Sequence, residues 1–149
     1  MAENESALLM MGCPEVPVQM SIVLYLSNKL AKSGHDVTVA GTDAALKLLK
    51  ISDPEEHYVT RTIDIDRCIA DIVEKKIDFD HCFAFMHSDA GVTYAATVSA
   101  ISRAKMHAVI FGKNAEELAD TVDFPSEKIV AKAVHNPMPL KNKIDRVVS

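Results

Sequence analysis

The sequence predicts an α/β fold, a three-layer α/β/α sandwich around a mainly parallel, Rossmann-like sheet of about five or six strands. Short runs rich in Val, Ile, Phe and Ala alternate with amphipathic stretches of helical length, which is typical of repeated βα units. The first run is apolar throughout, as expected for a strand buried on both faces of a parallel sheet. Because 149 residues is an ordinary length for one domain, we expect a single domain over residues 1–149.

The first strand is predicted at residues 7–13, followed by a helix from Pro17 to Gly34. Proline at the first helical position loses no hydrogen bond, because the N–H groups of that turn have no partner within the helix. Lys29 and Lys32 suit the negative end of the helix dipole, and glycine is common just beyond a helix end. These signals define the first βα unit.

The second strand is predicted at residues 36–40, and Thr42 is a suitable N-cap for a helix at residues 43–50. Residues 57–60 fit either a short edge strand or an irregular crossing, and the sequence leaves both open. A third helix is predicted at residues 65–76. Its apolar stripe consists of Ile65, Ile69, Ile72 and Val73, with Cys68 beside it as a core thiol.

Three further βα units are predicted in the second half of the chain. Their strands lie at residues 81–86, 107–111 and 128–134, and their helices at residues 92–104, 115–122 and 140–148. The first of these helices is rich in small residues, so it can pack closely on the sheet or on a second copy of the chain. Its apolar residues Val92, Tyr94 and Val98 also fit a two-fold contact, and a homodimer is therefore one alternative to core packing.

Candidate ligand-binding residues lie in the loops after the strands, because open parallel sheets bind ligands outside the carboxyl ends of their strands. These residues are Gly12, Cys13, Gly41, Thr42, Asp43, His87, Ser88, Asp89, Gly91, Asn114 and Asn136. The helix N-termini after Thr42, Ser88 and Asn114 favour a small anionic or nucleotide-like metabolite. The sequence identifies neither that molecule nor any cofactor.

Cys13 is the candidate nucleophile of a thiol-dependent enzyme. A thiolate between a strand and a helix N-terminus is stabilised by the helix dipole, which favours sulfur transfer or related chemistry with His87 or His135 as acid or base. Against this, Pro14 removes an amide donor and Glu15 opposes an anion. A small residue packed at a tight turn is the structural alternative. The same three side chains could converge on a metal ion, but their spacing gives no local evidence for one.

Several nucleotide and hydrolase motifs are absent from the sequence. There is no GxGxxG turn after the first strand and no GxxxxGK[ST] phosphate loop. Asp43 stands where an acidic residue could hold ribose hydroxyls, but a carboxylate in the first turn of a helix is the simpler interpretation. Ser88 lacks the preceding glycine of a GxSxG nucleophile elbow. The remaining histidines, at the opposite edge of the sheet, are interpreted as structural: His35, His57, His81 and His107.

Composition and charge limit the classes of partner and the cellular location that we expect for this protein. With 16 basic and 21 acidic residues the net charge is −5, which argues against nucleic acid as a partner. No apolar run is long enough to cross a membrane, and the acidic start MAENES carries no export signal. The three cysteines are widely spaced with no CxxC pair, so neither a disulfide framework nor a zinc ribbon is indicated. We therefore expect a cytoplasmic protein.

Two segments of the chain resemble an uncharacterised protein family of methanogenic archaea, a domain of unknown function. They are residues 8–55, LLMMGCPEVPVQMSIVLYLSNKLAKSGHDVTVAGTDAALKLLKISDPE, and residues 85–97, FMHSDAGVTYAAT. The resemblance covers essentially the whole chain. It implies a three-layer α/β/α domain from an archaeal cytoplasm and brings no established activity or catalytic residue. More loosely the chain is similar to small sulfur-relay sandwiches, but their working cysteine follows a later strand, where this chain has His87.

Three classes of function are consistent with these residues. The first, which we favour, is a domain that binds a small metabolite at the carboxyl ends of its strands. The second is a thiol-dependent enzyme that uses Cys13. The third is an interaction module whose helix surfaces contact a second copy of the chain or another protein.

Overall fold

The computed structural model describes residues 4–148 and shows a six-stranded parallel sheet between two layers of helices. The strands are β1 (Ser6–Met10), β2 (Asp36–Gly41), β3 (Thr62–Asp64), β4 (His81–Met86), β5 (Lys105–Ile110) and β6 (Glu127–Val130). The helices are α1 (Val18–Lys32), α2 (Asp43–Ser52), α3 (Ile65–Val73), α4 (Asp89–Ile101), α5 (Ala115–Asp120) and α6 (Met138–Val147). The strand order is β3-β2-β1-β4-β5-β6, and the predicted α/β sandwich is confirmed. Within residues 4–148, no helix has the length and apolar character needed to cross a lipid bilayer.

β1 lies inside the sheet, between β2 and β4. Ser6 pairs with Asp36 of β2, and Ala7 pairs with His81 of β4. Helices α1, α2 and α6 cover one face of the sheet, and α3, α4 and α5 cover the other. Both sets of alternating side chains in β1 are therefore buried, and residues 7–10 are at most 3% exposed.

The ends of the first two helices follow their predicted signals. α1 ends at Lys32, and Gly34 then adopts φ +90°, a conformation that favours glycine. Thr42 is the N-cap of α2, and its hydroxyl accepts a hydrogen bond from the backbone N–H of Ala45 at 3.4 Å. These local rules position the loop after β2 as predicted.

Residues 57–60 form an irregular crossing, and the edge strand β3 follows at Thr62–Asp64. Asp53, which is 5% exposed, causes this irregular backbone. Its carboxylate accepts hydrogen bonds from the backbone N–H groups of three consecutive residues, at 2.9, 3.1 and 2.9 Å. Those residues are His57, Tyr58 and Val59. Because their N–H groups are engaged, this segment cannot use them to extend the sheet.

Two predicted strands are longer than the observed ones. β1 stops at Met10 rather than at residue 13, and β6 stops at Val130 rather than at residue 134. In both cases buried apolar side chains continue beyond the strand, at Met11 and Ala131. A run of apolar residues therefore overstates the length of a strand when the loop after it also packs into the core.

The helices on the second face differ from prediction at their ends. α3 stops at Val73, which is 58% exposed and so does not belong to the buried stripe, whereas Cys68 is buried as expected. α4 begins at Asp89, earlier than the predicted start at residue 92. Val98 of α4 is 1% exposed and packs into the core, so it is unavailable for the two-fold contact suggested by the sequence.

We expect Asp53→Asn to destabilise the protein by about 1–3 kcal/mol at pH 7, because an amide cannot accept all three backbone hydrogen bonds. Burial raises the pKa of Asp53, but the three backbone donors outweigh burial and hold that pKa below its ordinary value. The carboxylate therefore stabilises the fold above the unfolded-state pKa, and this contribution is lost as the pH falls below about 4.

Urea unfolding at pH 7 and pH 3 measures the effect. Asp43→Asn is the matched control, because that carboxylate is 80% exposed and its ion-pair partner, Lys47, is exposed as well. The unfolding midpoints of the two variants should differ at pH 7 and become more similar at pH 3. Equal unfolding midpoints at pH 7 would contradict the role of Asp53.

Candidate functional site

The carboxyl ends of β1 and β4 form the topological switch point of the sheet, because the chain extends from β1 to β2 on one side and resumes at β4 on the other. Ligands of open parallel sheets bind at this position. A cleft lies here, and residues from three loops line it. The predicted candidates among its lining residues are Gly12, Cys13, Thr42, Ser88 and Gly91. We call this opening the switch-point cleft.

The walls of the switch-point cleft are largely apolar. Met10, Ile65 and Phe85 contribute to them, and Tyr94 of α4 closes one side. The Tyr94 hydroxyl donates a hydrogen bond to Asp66 at 3.2 Å, which fixes the ring. The cleft is narrow, with a volume of about 30 Å³, so only a small chemical group can enter it without movement of the walls.

Gln19 holds the loop after β1 in place. Its side-chain oxygen accepts the Gly12 N–H at 2.8 Å, and its Nε2 donates to the Gly12 carbonyl at 3.1 Å. Gln19 is 2% exposed on the buried face of α1. Sequence reasoning missed this residue, although a glutamine on the apolar face of a helix is a signal, because a buried amide must find partners. Glycine fits at position 12 because a Cβ there would lie 3.3 Å from the Phe85 carbonyl oxygen.

His87 joins the loops that follow β1 and β4. Its Nε2 lies 3.0 Å from the carbonyl oxygen of Cys13, so Nε2 carries the proton and donates. The ring packs against Phe111, with centroids 5.5 Å apart. This nitrogen is therefore engaged by the backbone of Cys13, and His87 positions the cleft wall.

The three cysteines occupy different environments. Cys13 is exposed at the cleft, whereas Cys68 and Cys82 are buried in the core. Burial raises the pKa of Cys68 to about 11 and raises the pKa of Cys82 further. Cys13 is thus the cysteine that solvent and a ligand can reach.

His135 is exposed in the segment between β6 and α6. The preceding residue, Val134, accepts a hydrogen bond from the N–H of Val18 at 2.9 Å, so this segment lies beside the start of α1. Within residues 4–148, Cys13, His87 and His135 do not form a group whose ligand atoms all lie within 4.8 Å of one another. The structure therefore offers no support for a metal ion held by these three side chains.

The other candidates have local roles or lie outside the switch-point cleft. Asp43 forms an exposed ion pair with Lys47 at 2.8 Å, and Asn136 accepts the N–H of Met138 at the start of α6. Gly41 packs against α2, where a Cβ would lie 3.3 Å from Ala45. A more open groove beside the cleft, of about 370 Å³, is lined in part by His87, Ser88, Asp89 and Asn114.

Gly91 serves helix packing. A Cβ at this position would lie 2.8 Å from the Cβ of Met86, closer than side chains can approach. Glycine therefore allows the first turn of α4 to pack directly on the end of β4. This close packing, rather than access for a ligand, is what requires glycine here.

The opposite edge of the sheet holds three of the histidines that the sequence analysis interpreted as structural. His35, His81 and His107 lie in a row, with neighbouring ring centroids 5.7 Å apart. Glu5 contacts His81 in the middle of the row, and Glu127 contacts His107 at one end. His57 is separate from this row and pairs with Glu55 on the surface. The row could not be predicted from the sequence, because it depends on strand order.

Comparison with known proteins supports the fold and the family. The profile of the family described as Domain of unknown function (DUF1890) matches residues 8–147. Uncharacterized protein MJ0452 of the archaeon Methanocaldococcus jannaschii is 34% identical over 148 residues, which is 97% of each chain. A solved structure titled "Structure of MT0777" is 37% identical, covers 96% of each chain and superposes with a TM-score of 0.85. The chain therefore belongs to the DUF1890 family, and the predicted resemblance to a family of methanogenic archaea is confirmed.

We expect Gln19→Leu to lower the free energy of unfolding by about 1–3 kcal/mol, because it leaves both backbone groups of Gly12 without their partner. Ser27→Ala is the matched control on the same helix. The Ser27 side chain is fully buried, and its hydroxyl has no hydrogen-bond partner among the described residues. Removal of this hydroxyl should therefore change the free energy of unfolding very little. Urea denaturation of both variants tests the comparison, and equal midpoints would contradict the role of Gln19.

Proposed function

We propose that this member of the DUF1890 family binds a small anionic metabolite in the switch-point cleft. The observation that supports this most is that Gly12, Cys13, Thr42 and Ser88, from three separate loops, line one cleft at the point where ligands of parallel sheets bind. Binding pockets of this kind combine apolar walls with a few polar groups that orient the ligand. The cleft has both.

The start of α4 supplies the anion-binding groups in this proposal. Ser88 is its N-cap, yet the Ser88 side chain makes no capping hydrogen bond. The N–H groups of the first helical turn have no acceptor within the helix, and they carry the positive end of the helix dipole. An oxygen of a phosphate or carboxylate is a suitable acceptor for them. Asp89 places one negative charge in the same turn, which favours a ligand with a single anionic group over a polyphosphate.

The start of α1 is less suited to this role, although dinucleotide-binding sheets use the corresponding helix. Its first N–H, that of Val18, donates to Val134, and the N–H of Gln19 donates to Val16. Pro17, at the N-cap, has no N–H. These three positions explain why the anion site is placed at α4 in our proposal.

In this proposal the ligand occupies both the switch-point cleft and the groove beside it. Ser88 lines both the narrow switch-point cleft and the open groove that contains Asn114. A small anionic group would lie at Ser88, and the rest of the molecule would extend into the groove. Asn114 has no side-chain capping hydrogen bond in α5, so its amide can contact the ligand.

We expect a thermal-shift screen of inorganic phosphate, nucleoside monophosphates, sugar phosphates and dicarboxylates to identify a ligand. A compound present at about 100 times its Kd should stabilise the protein by about 2.7 kcal/mol. Ser88→Asp should abolish this shift, because its carboxylate occupies the anion position, while the unliganded protein stays folded, since aspartate is a good N-cap.

Thr97→Asp is the control for that variant. It adds the same charge to an exposed position of α4, away from the first turn. The control should keep the thermal shift. The proposal fails if no compound in the panel stabilises the protein, or if Ser88→Asp responds to the ligand as the wild type does.

A thiol-dependent enzyme is the second candidate, and one observation favours it. Cys13 is exposed at the same cleft, whereas the other two cysteines are buried. If Cys13 is a nucleophile, its alkylation by iodoacetamide should be half-maximal below about pH 7, since ordinary thiols react near pH 8.5. Mass spectrometry of the labelled protein over a pH series measures this, with Cys13→Ser as the blank. A midpoint near that of a free thiol would exclude the enzyme.

A further inference from the structure

Glu5, His35 and His81 meet at the amino-terminal edge of the sheet, opposite the switch-point cleft. Glu5 immediately precedes β1, His35 immediately precedes β2, and His81 is the first residue of β4. Because β1 lies between β2 and β4, the three side chains are neighbours. One potential ligand atom from each lies within 4.8 Å of the other two.

These donors are the types that bind first-row transition metals. Two imidazoles and one carboxylate suit Zn²⁺, which binds such ligands at about 2.0–2.2 Å and completes its coordination with water. For any three atoms with this spacing there is a point no more than about 2.8 Å from each of them, so an ion placed there needs side-chain movements of less than about 1 Å to reach bonding distance. Exposed Glu5 and partly exposed His81 have room for such movements.

A second observation points independently to a ligand. Nδ1 of His35 and Nε2 of His107 are buried nitrogens with no hydrogen-bond partner among residues 4–148. His107 is 4% exposed, and its Nδ1 lies 3.2 Å from a carboxylate oxygen of Glu127. A carboxylate only accepts, so Nδ1 donates and the lone pair of Nε2 is left over. Buried polar atoms rarely stay unpaired, because that costs free energy.

The surroundings also favour a cation. Leu30 and Ser33, at the end of α1, and Val147 and Val148, at the end of α6, line one cavity of about 390 Å³ with His35, His81 and His107. Helix C-termini carry partial negative charge, and Glu127 lines the same cavity. Lys105 also lines this cavity, and both helices carry basic residues in their last turns. The carboxylates of Glu127 and of Glu5 beside His81 are the full negative charges that favour a cation.

We propose that Glu5, His35 and His81 bind a divalent transition-metal ion, with Zn²⁺ the best match to the donor set, and that Nε2 of His107 accepts a hydrogen bond from a water molecule on that ion. Three protein ligands and one water are the arrangement of zinc sites that keep an open coordination position. This inference is independent of the ligand proposed for the switch-point cleft, which lies at the other edge of the sheet.

The test is metal titration of the full-length protein after removal of metals with a chelator. Calorimetry with Zn²⁺ should give one site per chain, and Co²⁺ should give visible absorption bands typical of a low-symmetry site. Glu5→Gln and His81→Asn should each weaken binding by about 100-fold or more, since the loss of outer contacts alone costs about 10- to 100-fold. Glu5→Gln changes an exposed residue, so it separates loss of binding from loss of folding.

Two control variants identify the site. His57→Asn removes an exposed histidine that also neighbours a glutamate, and Cys13→Ser removes the exposed thiol. Both should bind Zn²⁺ and Co²⁺ as the wild type does. The proposal is overturned if the wild type shows no saturable binding, if Glu5→Gln keeps wild-type affinity, or if Cys13→Ser abolishes binding.

Discussion

The burial of β1 between two parallel neighbours is the constraint on which the rest of the structure depends. Its backbone pairs with β2 on one side and β4 on the other, and its side chains pack into both cores. Residues 7–10 of the strand are apolar and buried, so the residues that can do chemistry lie near its two ends. Glu5 precedes β1, and Gly12 and Cys13 follow it. Both candidate sites are thus built around the two ends of one short strand.

Local signals in the sequence were sufficient to predict most of the fold. β4 matches its predicted bounds residue for residue, because the apolar run HCFAFM is flanked by polar loops. The ends of α1 and α2 follow Gly34 and Thr42, which act through their own backbone and side-chain geometry. The sequence left the structure open at residues 57–60, where a tertiary contact decides it. The Asp53 carboxylate accepts hydrogen bonds from the backbone N–H groups of residues 57–59, several residues further along the chain. No periodicity in the sequence indicates such a contact.

The two sites were predictable to different degrees for a related reason. Residues that follow strands can be recognised from the sequence alone, and parallel strands bring those residues to one edge whatever their order. Gly12, Cys13, Thr42 and Ser88 were found in this way. The histidine row required strand order as well, since His35 and His81 become neighbours only because β1 separates β2 from β4. Gln19 was missed because its partner, the backbone of Gly12, has no side chain to suggest the contact.

The polarity of the fold accounts for the opposite charges expected at its two edges. Every crossover helix of a parallel sheet starts at the carboxyl edge and ends at the amino edge, so helix dipoles present positive ends to one edge and negative ends to the other. At the carboxyl edge, the uncapped start of α4 beside Ser88 favours an anion. At the amino edge, the ends of α1 and α6 face His81, His107 and Glu127. A cation is favoured there by the same alignment of peptide dipoles. The same sheet can therefore favour an anion at its carboxyl edge and a cation at its amino edge, whatever the net charge of the chain.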